Sequence, residues 1–116
     1  MGPFQGSTHY INEVRLGQFI SASVYQGLKW VAFTPDGPQL WAKMSSEITA
    51  FMDSLVSQGA LGAISPSRSF LVIVNESNNP LPDIEAGLVH IDIAFKPQDG
   101  DQLIPIQLTV QAGRGL

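Results

Sequence analysis

The spacing of apolar residues changes character along this chain, and the change predicts most of its elements. Between Pro38 and Gly59, the positions Leu40, Trp41, Met44, Ile48, Phe51, Met52, Leu55 and Val56 recur at steps of three and four. That spacing is one face of an α-helix, with Pro at a favoured first position and Gly suited to a left-handed C-terminal cap. Further on, Val89, Ile91, Ile93 and Phe95 alternate with His90, Asp92 and Ala94, and Ile104, Ile106, Leu108 and Val110 alternate with Pro105, Gln107 and Thr109. A period of two predicts half-buried strands. Pro105 has no N–H to give to a ladder, which puts the last strand at an edge on at least one side.

Other stretches carry less periodicity. Ile11, Val14, Phe19, Ile20, Val24 and Leu28 suit one helical stripe from Tyr10, capped by Thr8 or Asn12 and ended by Gly27 and Lys29. Trp30–Phe33 reads as a short buried strand before the turn cluster Thr34–Pro38, and Phe70–Val74 as a continuous apolar strand. The order helix, strand, helix, strand, strand, strand predicts an α/β fold. It is a single two-layer α/β domain, two main helices packed on a mixed sheet of about four strands, with an edge C-terminal strand. Its core is expected around Trp41, Ile48, Phe51, Leu55, Ile73, Ile91 and Phe95. Residues 1–8 read as a flexible leader, 9–111 as the domain and 112–116 as a frayed tail.

One connection is out of proportion. Residues 75–87, NESNNPLPDIEAG, join two core strands, where two to five residues suffice for a hairpin. Asn78 and Asn79 are suited to turn the chain and hydrogen-bond nearby backbone, while Pro80 and Pro82 stiffen it. Residues 82–86 suit a helical turn with Asp83 and Glu85 near its positive end, closed by Gly87.

Composition narrows the function classes. A chain of 116 residues holds one core. Charged residues make up 14% against roughly a quarter in ordinary soluble domains, so the surface is unusually neutral, as suits an assembly subunit. The whole net charge of −4 lies in residues 75–116, where six acids face Lys96 and Arg114. An acidic face disfavours nucleic acid and favours a basic protein partner. Without Cys there is neither a disulfide framework nor a thiolate metal site, and no apolar run approaches the ~20 residues of a membrane span.

Candidate chemistry is sparse. The two histidines, His9 and His90, are far apart, and His90 reads as a sheet-surface residue. Neither a metalloprotease helix, a phosphate-cradling loop nor a nucleophile elbow is present. Asp83 and Glu85 sit in an exposed loop, without the burial that would separate their acid and base roles. Asp99-Gly100-Asp101 lacks the further oxygen ligands of a calcium loop. No catalytic, cofactor-binding or metal residue is expected, and the chain does not read as an enzyme.

A set of short motifs, in order, carries a family resemblance. Tyr10-Ile11-Asn12 opens a helix, and Trp30-Val31-Ala32-Phe33 and a turn follow. Next come Leu40-Trp41 at a helix start and Gln58-Gly59-Ala60-Leu61 at its end. Ser77-Asn78-Asn79-Pro80 and Asp83-Ile84-Glu85-Ala86-Gly87 then lead into a strand. Over residues 9 to about 110 the chain resembles the C-terminal domain of contractile phage tail sheath proteins, shared with R-type pyocins and related injection systems. It departs from that pattern at Glu13-Val14-Arg15, where the family has a basic pair, and at Asp99-Gly100-Asp101, where the family has Pro-Ala-Glu. Family members are several times longer, so an excised domain, a truncated homologue or a small paralogue is expected.

The resemblance implies a structural subunit that polymerises around an inner tube and drives it by contraction, without nucleotide hydrolysis. Its partners would be other sheath subunits and the tube protein, not nucleic acid or membrane. The isolated domain would be a monomer or weak oligomer, and its place a virion tail or contractile particle assembled in the cytoplasm. An edge strand built from Ile104, Ile106, Leu108 and Val110 is expected to pair between subunits. Deleting residues 103–116 is then expected to leave the domain folded. Asn78, Asn79, Pro80, Asp83, Ile84 and Glu85 are expected to face the tube. The alternative is a small soluble adaptor using the same edge for a non-sheath partner.

Overall fold

A computed structural model describes residues 9–64, 68–98 and 102–113. Helix α1 (His9–Gly27) leads through a 3₁₀ turn (Lys29–Phe33) into α2 (Pro38–Ser57). Strand β1 (Phe70–Ile73), a short helix α3 (Leu81–Glu85), β2 (Leu88–Phe95) and β3 (Ile104–Gln111) follow. The strands form one antiparallel sheet in the order β1-β2-β3, so β3 lies at an edge as its proline predicts. The helices cover one face of that sheet, giving the two-layer α/β arrangement.

The sheet has three strands and is not mixed. Trp30–Phe33 does not become a strand because α1 simply tightens: Leu28 N–H bonds the Val24 carbonyl, Val31 that of Leu28 and Thr34 that of Val31. Those bonds use the backbone groups a strand would need. Only Val31 of the four is buried, and Phe33 is 90% exposed. A trace of a fourth strand survives just beyond, in a single parallel bridge between Pro35 and Gly113.

Helix α2 follows its pattern. Leu40, Trp41, Met44, Ile48, Met52 and Leu55 are buried, Pro38 occupies the first turn, and Gly59 takes φ of 77° just past the end. Phe51 is only half-buried and packs on the exposed Phe19, with ring centroids 6.1 Å apart. Phe51→Ala is therefore expected to cost about 1–3 kcal/mol in a urea melt, below the ~3–5 of a fully buried Phe. In α1 the buried stripe is Ile20, Val24 and Leu28; Val14 and Phe19 face outward, and Thr8 lies outside the described residues.

Register decides which strand residues reach the core. Phe70 pairs with Phe95, and Phe95 with Ile104; Val72 pairs with Ile93, and Ile93 with Ile106. Paired residues share a face, so these side chains, with Ile91, Leu108, Val89 and Val110, look toward the helices. Ile73 pairs with Asp92 on the opposite face and is 38% exposed, so it is not a core residue. A continuous apolar run gives no indication of which face is which; the pairing does.

Candidate functional site

The long connection 75–87 turns out to be the end of a ladder. Continuing the β1–β2 register would set Asn75 opposite His90, but the chain leaves the sheet there. The amide of Asn79 takes the vacant place. Its Oδ1 accepts from the His90 N–H at 2.7 Å and its Nδ2 donates to the His90 carbonyl at 3.1 Å. That is the double bond a strand residue would have made. Nδ2 also reaches the Asn75 carbonyl at 3.0 Å, and the residue is 1% exposed. Asn78 braces the same corner, donating to the Ile73 carbonyl at 2.9 Å and to Asp92 Oδ2 at 2.8 Å. Asn75 closes a local turn by accepting from the Ser77 N–H at 2.8 Å.

Pro80 caps α3, which begins at Leu81, one residue before the 82–86 turn that the sequence suggests, and Gly87 closes it at φ 79°. A Cβ on Gly87 would lie 2.7 Å from Gln111 Nε2 and 2.9 Å from the Ala112 carbonyl, so both conformation and space demand glycine there. Ala112 N–H bonds the Gly87 carbonyl, and Gln111 Nε2 donates to the carbonyls of Ala86 and Gly87. The end of β3 is thereby stitched to α3.

His90 sits between these parts. Its Nε2 is 2.7 Å from Asp83 Oδ2 and its Nδ1 is 3.0 Å from Thr109 Oγ1. A carboxylate only accepts, so in the neutral ring Nε2 carries the proton and Nδ1 accepts the Thr109 hydroxyl proton. Hydroxyl, imidazole and carboxylate in a row have the connectivity of a nucleophile relay. The row lies on the open polar face of the sheet, though, and the His90 and Asp83 side chains are about a third exposed, at 32% and 35%. The adjacent backbone N–H of His90 is already given to Asn79, so it cannot serve as an oxyanion donor. The row ties α3 to β3.

The same hydrogen bonds fix the phase of the β3 edge. Because His90 turns its N–H and carbonyl toward the β1 side, His90 and Thr109 form a non-hydrogen-bonded pair in the β2–β3 ladder. By alternation the backbone groups of Pro105, Gln107, Thr109 and Gln111 point outward, all four being exposed residues. Gly113 continues that phase, and its outward N–H and carbonyl are taken by the Thr34 carbonyl at 2.8 Å and the Asp36 N–H at 3.0 Å. Among the described residues, no strand pairs with the outer edge from Pro105 to Gln111. The proline's missing N–H falls on that open side.

The predicted site residues are thus placed unevenly. Ile104, Ile106, Leu108 and Val110 lie on the open strand, but Ile106 and Leu108 are buried in this domain's own core, and Ile104 and Val110 pack against it. What faces outward is the backbone, with the side chains of Gln107 and Thr109. Of the loop candidates, Asn79 is spent internally, Asn78 and Ile84 are half-buried, and Asp83 is bound to His90. Pro80 and Glu85 are exposed, joined by Leu81, which periodicity did not single out. Asp99–Asp101 and Arg114 lie outside the described residues.

A second polar feature escaped the sequence reading. Asp36, 7% exposed, accepts from Trp41 Nε1 at 2.9 Å through Oδ1, while its buried Oδ2 has no hydrogen-bond partner among the described residues. Burial pushes its carboxyl above the usual range, partly opposed by the Trp41 bond, the Gly37 backbone and the charge of His90. An Asp in a Pro-rich turn reads as a turn residue, and nothing local points to the indole five positions on. It borders an open hollow of about 760 Å³ lined also by Trp30, Pro38 and Lys43, whose ammonium lies 4.5 Å above the Trp30 ring.

A raised carboxyl pKa has a definite sign. The folded state keeps a proton that the unfolded chain, titrating near 3.8, has lost, so stability is full below that pH and falls as pH rises through the folded value. Asp36→Asn keeps the acceptor for Trp41 and removes the buried charge. It is expected to raise stability at pH 7 by about 1 kcal/mol and to remove the fall in melting temperature that Asp36 imposes on the acidic limb as pH rises above 3.8. Equal losses for both proteins across that limb would show that Asp36 does not titrate in the fold.

Among the described residues, no helix is long and apolar enough to cross a membrane, and no group of three or more His, Asp or Glu side chains is placed to hold a metal ion. No family model, no curated protein and no solved structure matches the chain.

Proposed function

We propose that this chain is a structural domain of a contractile tail sheath, as its ordered motifs suggest, joining neighbouring subunits through backbone pairing on the outer edge of β3. The observation that carries this reading is the unpaired row of backbone groups from Pro105 to Gln111, set on a strand whose apolar face is already buried. An added strand gains main-chain hydrogen bonds there without disturbing the core. The intersubunit contact is therefore the edge itself and not the alternating Ile, Leu and Val side chains. Pro80, Leu81 and Glu85 are exposed in the loop and are the proposed tube-facing surface. Its contacts would be weak singly, since an exposed charge pair contributes ~0.2–1 kcal/mol, and numerous in a polymer.

The edge can be blocked without unfolding the domain. Gln107→Pro removes an outward N–H two residues beyond the natural Pro105 and leaves the β2–β3 ladder intact. The variant is expected to melt within about 0.5–1 kcal/mol of the parent, since no ladder bond is lost. In negative-stain micrographs with full-length sheath and tube proteins, the parent should enter rings or tubes and the variant should not. A parent chain that stays monomeric in that mixture rules out the sheath reading. Incorporation of both chains would move the contact elsewhere on the domain.

A further inference from the structure

We infer that His90 couples the two outward-facing parts of the domain, so that a basic group drawn to Asp83 on α3 and a strand added along β3 at Thr109 influence each other through the imidazole. As regulation of assembly this rests on the reading above; as a coupling inside the chain it stands on geometry alone. The row Asp83, His90, Thr109 is continuous at 2.7 and 3.0 Å. Each end belongs to a different surface. Asp83 lies in the loop helix, and Thr109 is a residue whose backbone groups face the open edge.

His90 itself has little freedom. Its N–H and carbonyl are held by Asn79, and the ring nitrogens are held by the two end groups. A backbone fixed this way leaves the ring torsions as the moving part. A carboxylate accepts several hydrogen bonds, so a partner's Lys or Arg breaks this contact by drawing the Asp83 side chain off the ring; Nε2–H then loses its acceptor and must seek another. Asp92 Oδ2, on the same sheet face, already accepts from Asn78 and would have to be shared. Turning the ring releases the Thr109 hydroxyl, so the row breaks at both ends together. Binding at one surface thus weakens the hold at the other, and linkage requires the effect to be reciprocal.

Asp83 and Thr109 have a second connection, because α3 is also stitched to β3 through Gly87 and Gln111. The test has to separate the two routes. Amide hydrogen exchange by NMR on the whole 116-residue chain does so, read at Leu108 and Val110, the ladder residues flanking Thr109, and at Ile84 in α3 and Ala86 at its C-terminal cap. Asp83→Ala is expected to speed exchange at Leu108 and Val110 by about threefold or more, and Thr109→Val to do the same at Ile84 and Ala86. Pro82→Ala loosens α3 without touching His90 and should leave Leu108 and Val110 unchanged. In a His90→Gln background the cross effect of Asp83→Ala should vanish.

Exchange that changes only on the side of each substitution, or a cross effect that survives His90→Gln, overturns the coupling. Should His90→Gln fail to fold, the Asp83→Ala, Thr109→Val double variant decides: effects that merely add overturn the coupling, and effects smaller than their sum support it. Assembly is scored separately in micrographs. A chain that assembles without cross effects sinks only the coupling, and one with cross effects but no assembly sinks only the sheath reading.

Discussion

Ending the chain at Gln102 should abolish the cooperative fold. The last strand looks like an accessory in the sequence, a short edge element with a proline, and on that view its loss should be tolerated. Its register says otherwise. β3 pairs with β2 over eight positions and presents Ile106 and Leu108 to the core, with Ala112 buried just beyond and Ile104 and Val110 packed alongside. Losing a large buried aliphatic side chain costs about 2–5 kcal/mol, and a domain of this size has only some 5–15 kcal/mol in total. Removing two such residues, with the ladder and the Gly113 stitch to Thr34 and Asp36, uses up that margin. What remains is a four-residue pairing of β1 with β2, below what stands alone in water. Far-UV circular dichroism with urea titration checks this. A truncated chain with a sharp transition and the parent's urea dependence would show that β3 is accessory after all.

The outcome separates two meanings of an edge strand. β3 is an edge in its hydrogen bonding, because one row of backbone groups is unpaired among the described residues, and central in its packing, because its inward side chains close the core. Pro105 announced the first and the alternation of Ile104, Ile106, Leu108 and Val110 announced the second. Deletion tests packing, whereas Gln107→Pro tests the unpaired row. Charge reversal in the loop divides in the same way. Asp83→Lys would break the bond to His90 inside the domain, while Glu85→Lys alters only an exposed position and is the cleaner probe of a tube contact.

Helix α2, the two long strands and the glycine-ended turn of α3 were legible because each is specified locally, by period or by a turn residue. Three features were not. Trp30–Phe33 is four apolar residues, too short for any period to show, and hydrogen bonds continuing from α1 decided its conformation. Ile73 sits in a run without polar residues, so only its partner Asp92 reveals that it faces away from the helices. Asp36 and Trp41 meet because the turn before α2 folds back on the helix's first turn, a tertiary fact with no local sign. The loop residues were half legible. Asn78 and Asn79 read correctly as backbone-binding turn residues, but they share the partner His90, twelve and eleven positions on, which the β-sheet register alone brings near.

The role of Asn79 leads to the second large effect. Asn79→Ala should destabilise the domain by about 1–3 kcal/mol, more than its small size suggests. The amide fills a strand position, so its removal leaves the His90 N–H without its acceptor and takes one of two donors from the His90 carbonyl, which keeps Asn78 Nδ2 at 3.2 Å. A buried polar group left without a partner costs ~1–3 kcal/mol, and the His90 N–H is such a group, while the Asn75 carbonyl loses one of two donors and keeps the Asn78 N–H. Asn79→Asp should be worse, since a carboxylate keeps the acceptor for the His90 N–H yet faces two carbonyl oxygens with no donor and a buried charge. Asn78→Ala should cost only about 1 kcal/mol, because Asn78 is half-buried and water can reach its partners. Urea melts give the ranking, and exchange of the His90 amide shows the cause. It should be protected in the parent and in Asn78→Ala, and exchange far faster in Asn79→Ala while Leu108 stays protected. A loss below about 1 kcal/mol with His90 still protected would mean that a water molecule replaces the amide, and that the long connection is kept for its exposed residues alone.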